Sequence, residues 1–66
     1  MVITVNGKQE QLEQEMSVEA FLNAKGLSPE VVVVEHNGSI VKKEQMSSIV
    51  LNDNDTLEVL RFVGGG

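Results

Sequence analysis

Apolar and polar residues alternate in the first stretch of the chain, "VITVNGKQEQL". Ile3 and Val5 share one face, and the Asn-Gly pair at 6–7 suits both positive-φ positions of a type I′ turn. We therefore predict a two-stranded hairpin from Val2 to about Leu12. Leu12 is the only large apolar residue after the turn, so the second strand is predicted to lie at a sheet edge.

The apolar period becomes helical in the next segment, "SVEAFLNAKGLSP". Val18, Phe21 and Leu22 fall at i, i+3 and i+4, the spacing of one helix face. Ser17 is suited to cap the helix, and a Lys-Gly pair is typical of a helix end. The segment predicts one short amphipathic helix over about 17–25.

Strand patterns return in the second half of the chain. Four consecutive valines at 31–34 indicate a strand that is buried on both faces or nearly so. A second Asn-Gly pair, at 37–38, predicts another tight turn. The polar segment "KKEQMSS" leaves room for one short turn of helix, and "NDND" predicts a turn because Asn and Asp bond to their own backbone.

The last strand, "TLEVLRFV", has apolar residues on both of its faces. If Leu57 and Val59 lie beneath the helix, Leu60 and Phe62 stand on the opposite, open face. An exposed apolar pair beside the terminal glycines favours docking of a partner. The alternative is that the twist of the sheet edge buries Phe62 within the domain.

The order of elements predicts the fold class. Two strands, one helix, two or more strands and a final strand make an α+β protein, and one helix covers only one face of a sheet. We expect a mixed sheet of four to five strands with the helix across one face. The 66 residues form one domain, predicted over 1–63, followed by a flexible glycine tail at 64–66.

The side chains offer little chemistry of their own. There is no cysteine and one histidine, His36, which is expected to be a solvated turn residue. Asp53 and Asp55 lack the glycine and the distal glutamate of a calcium loop, so we interpret them as turn residues. No catalytic residue, metal site or bound cofactor is predicted.

The net charge and the hydropathy of the chain limit the kinds of partner that we expect. The net charge of -5 argues against a nucleic-acid backbone as partner and suits a basic protein surface, although solubility alone explains it equally well. No apolar run has the length of a membrane span, and the N-terminus lacks the layout of a signal peptide. A cytoplasmic protein without a membrane or nucleic-acid partner is expected.

The glycines at the end, in "RFVGGG", raise a separate possibility. Three residues without Cβ atoms reach about 10 Å beyond a fold and pass through a channel too narrow for side chains. The candidate reactive group is then the terminal carboxylate of Gly66, since no other feature offers a reactive atom. The alternative is a frayed end or a cloning scar.

Taken together, "VNG", "SVEAFL", "VVVVEHNGSIVKKEQ", "LNDND" and "TLEVLRFVGGG" give the chain a pattern that resembles the ThiS sulfur carriers of thiamine biosynthesis. The resemblance covers the whole chain and implies a ubiquitin-like β-grasp fold. Its most specific element is the di-glycine directly after the last strand. Lys42 stands where many relatives have proline. Gly64 stands where a small residue such as alanine often occurs.

The resemblance implies a protein cosubstrate and not an enzyme. A ThiF-like enzyme would use ATP to adenylate the Gly66 carboxylate, and a sulfur donor such as a cysteine desulfurase system would leave a thiocarboxylate there. Thiazole synthase, ThiG, would receive the sulfur. Gly65 and Gly66 carry over from the family pattern, with Gly64 as part of the thin tail.

Three alternatives remain open from the sequence. The first is a MoaD-like sulfur carrier for molybdopterin or for another sulfur metabolite. The second is a ubiquitin-like modifier that conjugates to lysines. The third is a β-grasp interaction domain with an incidental tail. Only the first shares the thiocarboxylate, and only the sulfur acceptor separates it from a thiamine carrier.

Overall fold

The N-terminal hairpin is formed as the alternation predicts. In the computed structural model, which describes residues 1–62, β1 (Val2–Val5) pairs antiparallel with β2 (Lys8–Gln11). Asn6 and Gly7 have φ of 50° and 84°, as a type I′ turn requires. The strand order β2-β1-β5-β3-β4 leaves β2 at an edge, which confirms that prediction.

One α-helix, α1 (Val18–Ala24), confirms the helix predicted over 17–25. The backbone N–H of Ala20 donates to the Ser17 hydroxyl at 3.0 Å, so the cap is the one expected. The chain leaves the helix through Gly26, whose φ is +75°, where a side chain would be strained. Neither α1 nor any other helix within residues 1–62 is long and apolar enough to cross a membrane.

Up to Phe62, the second half adds three strands and two single-turn 3-10 helices. They are the 3-10 helix Pro29–Val31, β3 (Val32–His36), β4 (Ser39–Val41), the 3-10 helix Lys43–Gln45, and β5 (Thr56–Arg61). Asn37 and Gly38, between β3 and β4, have φ of 50° and 87°, which confirms the second Asn-Gly turn. The turn predicted for "NDND" is also present, with Asn54 at φ 71°.

The four valines are only partly as predicted. Val32 and Val34 are buried, but Val33 is half-buried and Val31 belongs to the preceding 3-10 helix. The expectation of a strand buried on both faces or nearly so is therefore met at Val32 and Val34 and only in part at Val33. The physical reason is that a single helix covers one side of the sheet, so alternate residues of β3 face away from it.

In the part of the chain that the structure describes, the sheet is mixed and has five strands, with β5 between β1 and β3. β5 runs parallel to β1 and antiparallel to β3. The core lies between α1 and one face of this sheet. Within residues 1–62 it contains eleven buried apolar residues: Ile3, Leu12, Val18, Phe21, Leu22, Val32, Val34, Val41, Met46, Leu51 and Leu57.

Candidate functional site

The side chains of β5 point alternately toward the core and toward the solvent. Leu57 is fully buried, and Val59 is half-buried against the core. Leu60 and Phe62 are 70% and 59% exposed, so the alternation places them on the open face as predicted. The alternative in which Phe62 is buried within the domain is wrong. The role of Leu60 and Phe62 in docking stays a prediction.

The open face carries further apolar side chains beside this pair. Val33 on β3 lies directly opposite Leu60 on β5 and is half-buried. Ile40 on β4 is 60% exposed. We refer to Val33, Ile40, Leu60 and Phe62 as the apolar patch. Exposed apolar residues gathered on one face are typical of an interaction surface.

Two asparagine side chains from the Asn-Gly turns hold β5 in place. The Val59 N–H donates to Asn6 Oδ1 at 2.7 Å, and Asn6 Nδ2 donates to the Val59 carbonyl at 3.1 Å. At the other end, the Thr56 N–H donates to Asn37 Oδ1 at 2.8 Å. Because β5 bears Leu60 and leads toward the glycines, these bonds orient the strand that carries the candidate site.

His36 is not the solvated turn residue that the sequence predicts. Its side chain is only 19% exposed, and its Nε2 lies 2.7 Å from Asp55 Oδ2. The pairing of β3 with β5 brings His36 beside the turn before β5, although the two residues are 19 positions apart in the chain. Local sequence carries no signal of such a contact.

Asp55 is buried and receives several hydrogen bonds. Asn37 Nδ2 donates to its Oδ1 at 3.0 Å, and the Asn52 N–H donates to its Oδ2 at 2.8 Å. Burial by itself raises the pKa of Asp55, but the hydrogen bonds from His36, Asn37 and Asn52 and the charge of His36 outweigh it and lower the pKa below its ordinary value. Asp55 therefore stays ionised as a structural acceptor.

Asp53 has a similar structural use in the same turn. Its Oδ1 accepts a 2.7 Å hydrogen bond from the Val2 N–H, which ties the turn to β1. This supports the interpretation of both aspartates as turn residues. Within residues 1–62, no three His, Cys, Asp or Glu side chains are grouped so as to hold a metal ion.

The predicted sulfur-carrying residues, Gly65 and Gly66, and the tail residue Gly64 lie outside the residues that the structure describes. Their predicted roles are neither supported nor contradicted by the described geometry. What the structure does describe is the chain up to Phe62, whose N–H donates to the Val31 carbonyl at 2.8 Å. The glycines thus follow closely on an anchored strand.

The architecture defines the class of protein. A five-stranded mixed sheet with a parallel β1–β5 pair and one helix across one face is the ubiquitin-like β-grasp fold. The crystal structure of the thiamine biosynthesis protein ThiS from Geobacter metallireducens matches it with a TM-score of 0.85 and 35% sequence identity, over the whole of both chains.

Sequence comparisons define the family. The ThiS family model matches residues 3–66. The sulfur carrier protein ThiS of Bacillus subtilis is 32% identical over 66 residues, which cover 98% of this chain and 100% of that protein. The chain belongs to the ThiS family.

Two longer relatives have a different name. A thiazole synthase of Paramagnetospirillum magneticum is 38% identical over 66 residues, and one of Magnetococcus marinus is 36% identical. Both alignments cover all of this chain but only 20% of the relative, so the chain spans one fifth of their length. A ThiS-like segment therefore occurs within proteins named thiazole synthase.

Proposed function

We propose that this chain carries sulfur as a thiocarboxylate on Gly66 and delivers it for thiazole formation in thiamine biosynthesis. The observation that carries the proposal is the ThiS family match, which runs through the last strand and the glycines to residue 66. The alternatives of a molybdopterin carrier, a protein modifier and a plain interaction domain have no comparable observation in their favour.

The proposed chemistry has two steps at one carbon. A carboxylate is a poor electrophile, so the activating enzyme first transfers AMP from ATP to Gly66 with loss of pyrophosphate. The terminal sulfur of a donor persulfide then displaces AMP, and a thiol reductant cleaves the resulting S–S bond and leaves the thiocarboxylate; free sulfide would displace AMP and give the thiocarboxylate directly. The chain has no cysteine, so no side-chain thiol competes for the sulfur. In this scheme the protein is a cosubstrate, and its partners supply the catalytic groups.

The proposal divides the chain into a β-grasp domain over 1–63 and a glycine tail over 64–66. A partner binds the folded domain, and Gly64 and Gly65 bring no side chain into the partner's channel. Leu60 and Phe62 are the proposed docking residues. Their exposure on a strand that is held by Asn6 and Asn37 supports this role.

The proposed partners are a ThiF-like activating enzyme, a sulfur donor such as a cysteine desulfurase system, and thiazole synthase. The two longer relatives named thiazole synthase support the last of these, because a ThiS-like segment within the same chain is consistent with a functional pairing. The proposal includes a cytoplasmic location, since the activation step consumes ATP.

The test is the intact mass of the protein after incubation with ATP, the host's activating enzyme and a sulfur source. We expect a gain equal to the replacement of one oxygen by sulfur, localised to the C-terminal peptide. The matched control is the variant that lacks Gly65 and Gly66, which keeps all of residues 1–62. An unchanged mass, under conditions that convert a known ThiS protein, would contradict the proposal.

A further inference from the structure

The register of β3 against β5 places two glutamates face to face. Glu35 lies directly opposite Glu58, two positions along from the Val33–Leu60 pair. Residues two apart on a strand share a face, so both glutamates lie on the open face with the apolar patch. Both are exposed. Ile40 lies opposite Glu35 on its other side, on β4.

This pair works against the stability of the free protein. Like charges directly opposite each other in an antiparallel sheet destabilise it. The ion pairs within residues 1–62 are Lys25–Glu10, Lys43–Glu30 and His36–Asp55, so neither glutamate has a cationic partner in the described part of the chain. A repulsive pair at the centre of an exposed face is consistent with a functional use.

The pair lies in an open depression whose lining is both apolar and acidic. Glu35 and Glu58 line a shallow depression on the open face together with Asn6, Val33 and Leu60. Its walls are partly apolar and its acidic groups come from two neighbouring strands. An entering side chain therefore needs an apolar stem and a positively charged end.

We infer that Glu35 and Glu58 together bind a single arginine presented by an otherwise apolar surface of the activating enzyme. The inference rests on the proposed function, in which that enzyme docks on the open face. A guanidinium has five N–H donors in one plane, so one group is able to bond both carboxylates, whereas a lysine offers a compact point charge. Ile40 and Leu60 exclude water from the pair when the surfaces meet, which strengthens the attraction.

The pair also selects between partners. A partner without a cation at this position would bury two carboxylates unpaired, and a partner with an acidic group there would add to the repulsion. The apolar patch alone does not discriminate in this way, because many apolar surfaces fit it. The net charge of -5 adds a long-range attraction to the same kind of partner.

The test compares Glu35→Gln and Glu58→Gln with the matched control Glu13→Gln. Glu13 is exposed and precedes the helix, so its substitution removes the same charge away from the open face. For each variant we would measure the urea midpoint of unfolding and the Kd for the activating enzyme at low and high salt. Glutamine keeps the size of the side chain and removes only its charge.

We expect Glu35→Gln and Glu58→Gln to be at least as stable as the wild type and to bind about tenfold more weakly or worse. Their binding should also depend less on salt. The double variant should lose less affinity than the two single losses combined, because both carboxylates contact one group. Glu13→Gln should keep the wild-type midpoint and lose little affinity.

Two results would overturn the inference while the proposed function stands. One is that both variants bind as tightly as Glu13→Gln while the wild type still acquires sulfur. The other is that both variants unfold at lower urea, because the pair would then be part of the fold and not of the interface. If the wild type acquires no sulfur, the proposed function fails and this inference fails with it.

Discussion

At the residue scale, the carboxylate of Asp55 joins parts of the chain that are distant in sequence. It accepts hydrogen bonds from His36, from Asn37 and from the backbone of Asn52. His36 ends β3 and Asn37 begins the β3–β4 turn, whereas Asn52 lies in the turn before β5. Asp55 therefore connects that turn to the start of the β3–β4 turn, and it does so as an anion.

We expect Asp55→Asn to destabilise the protein by about 1–3 kcal/mol at neutral pH, because one of the two accepting oxygens is replaced by a donor. The pH dependence follows from the lowered pKa of Asp55. A carboxyl whose pKa is lower in the folded state stabilises the fold above its ordinary pKa. That stabilisation is lost as the pH falls below about 4 and passes through the folded-state value.

The measurement is the urea midpoint of unfolding across the acid range for the wild type, Asp55→Asn and the control Glu13→Gln. Asp55→Asn should have a flatter profile below about pH 4, since the titrating group is gone. Glu13→Gln should follow the wild type because Glu13 is exposed. An unchanged acid slope in Asp55→Asn would rule out this carboxylate as the source.

At the element scale, the two Asn-Gly turns do more than reverse the chain. Each places an asparagine at φ 50°, and each asparagine side chain bonds to the backbone of β5. The positive φ suits Asn and Gly alike, but only Asn supplies the amide. The turns thus form the hairpins and also hold the strand between them.

We expect Asn6→Gly to destabilise the protein by about 1–2 kcal/mol more than Asn54→Gly does. Glycine tolerates the positive φ at both positions, so both variants share the entropic effect of an added glycine. Asn6 loses its two bonds to Val59, whereas the side chain of Asn54 has no hydrogen bond within residues 1–62. Chemical denaturation gives the difference, and equal losses would show that the two hydrogen bonds between Asn6 and Val59 contribute nothing.

At the scale of the whole molecule, one strand supplies side chains both to the core and to the open face. Leu57 and Leu60 are both leucines of β5, but Leu57 is fully buried and Leu60 is 70% exposed. A domain of this size rarely has more than roughly 3–5 kcal/mol of stability in reserve. Burying a single leucine therefore contributes a large share of that stability, whereas the exposed Leu60 contributes little to it.

The same substitution at these two positions should have opposite consequences. Leu57→Ala is expected to destabilise the domain by about 2–5 kcal/mol and to leave much of it unfolded. Leu60→Ala should melt near the wild-type temperature and bind the activating enzyme more weakly. Thermal unfolding by circular dichroism and binding by calorimetry separate the two effects. Wild-type affinity in Leu60→Ala would remove this residue from the proposed docking surface.

A control substitution at another exposed apolar residue tests whether binding depends on the apolar patch. Val50→Ala shortens another exposed apolar residue, 42% exposed, that lies beside the start of α1, where it bridges to Ser17. It is the control for Leu60→Ala, since neither residue belongs to the core. Loss of affinity in Leu60→Ala but not in Val50→Ala would locate the binding on the open face.

The secondary structure was largely predictable from the sequence, whereas the contact of His36 with Asp55 was not. The hairpin at Asn6, the helix after Ser17 and the exposed side of β5 at Leu60 all follow from turn chemistry and from apolar periods of 2 or 3.6. These signals act over a few residues. The burial of Val31 and Val33 was only partly predictable, because four valines in a row have no period that tells one face from two.

Local sequence, then, specifies the strands, the helix, the turns and a glycine ending typical of the family, because each depends on neighbours within one or two turns of chain. Only the tertiary structure decides that β5 lies between β1 and β3. From that order come the contact of His36 with Asp55 and the opposition of Glu35 and Glu58. Such contacts join residues far apart in the chain, and strand order and register set them, which no local pattern encodes.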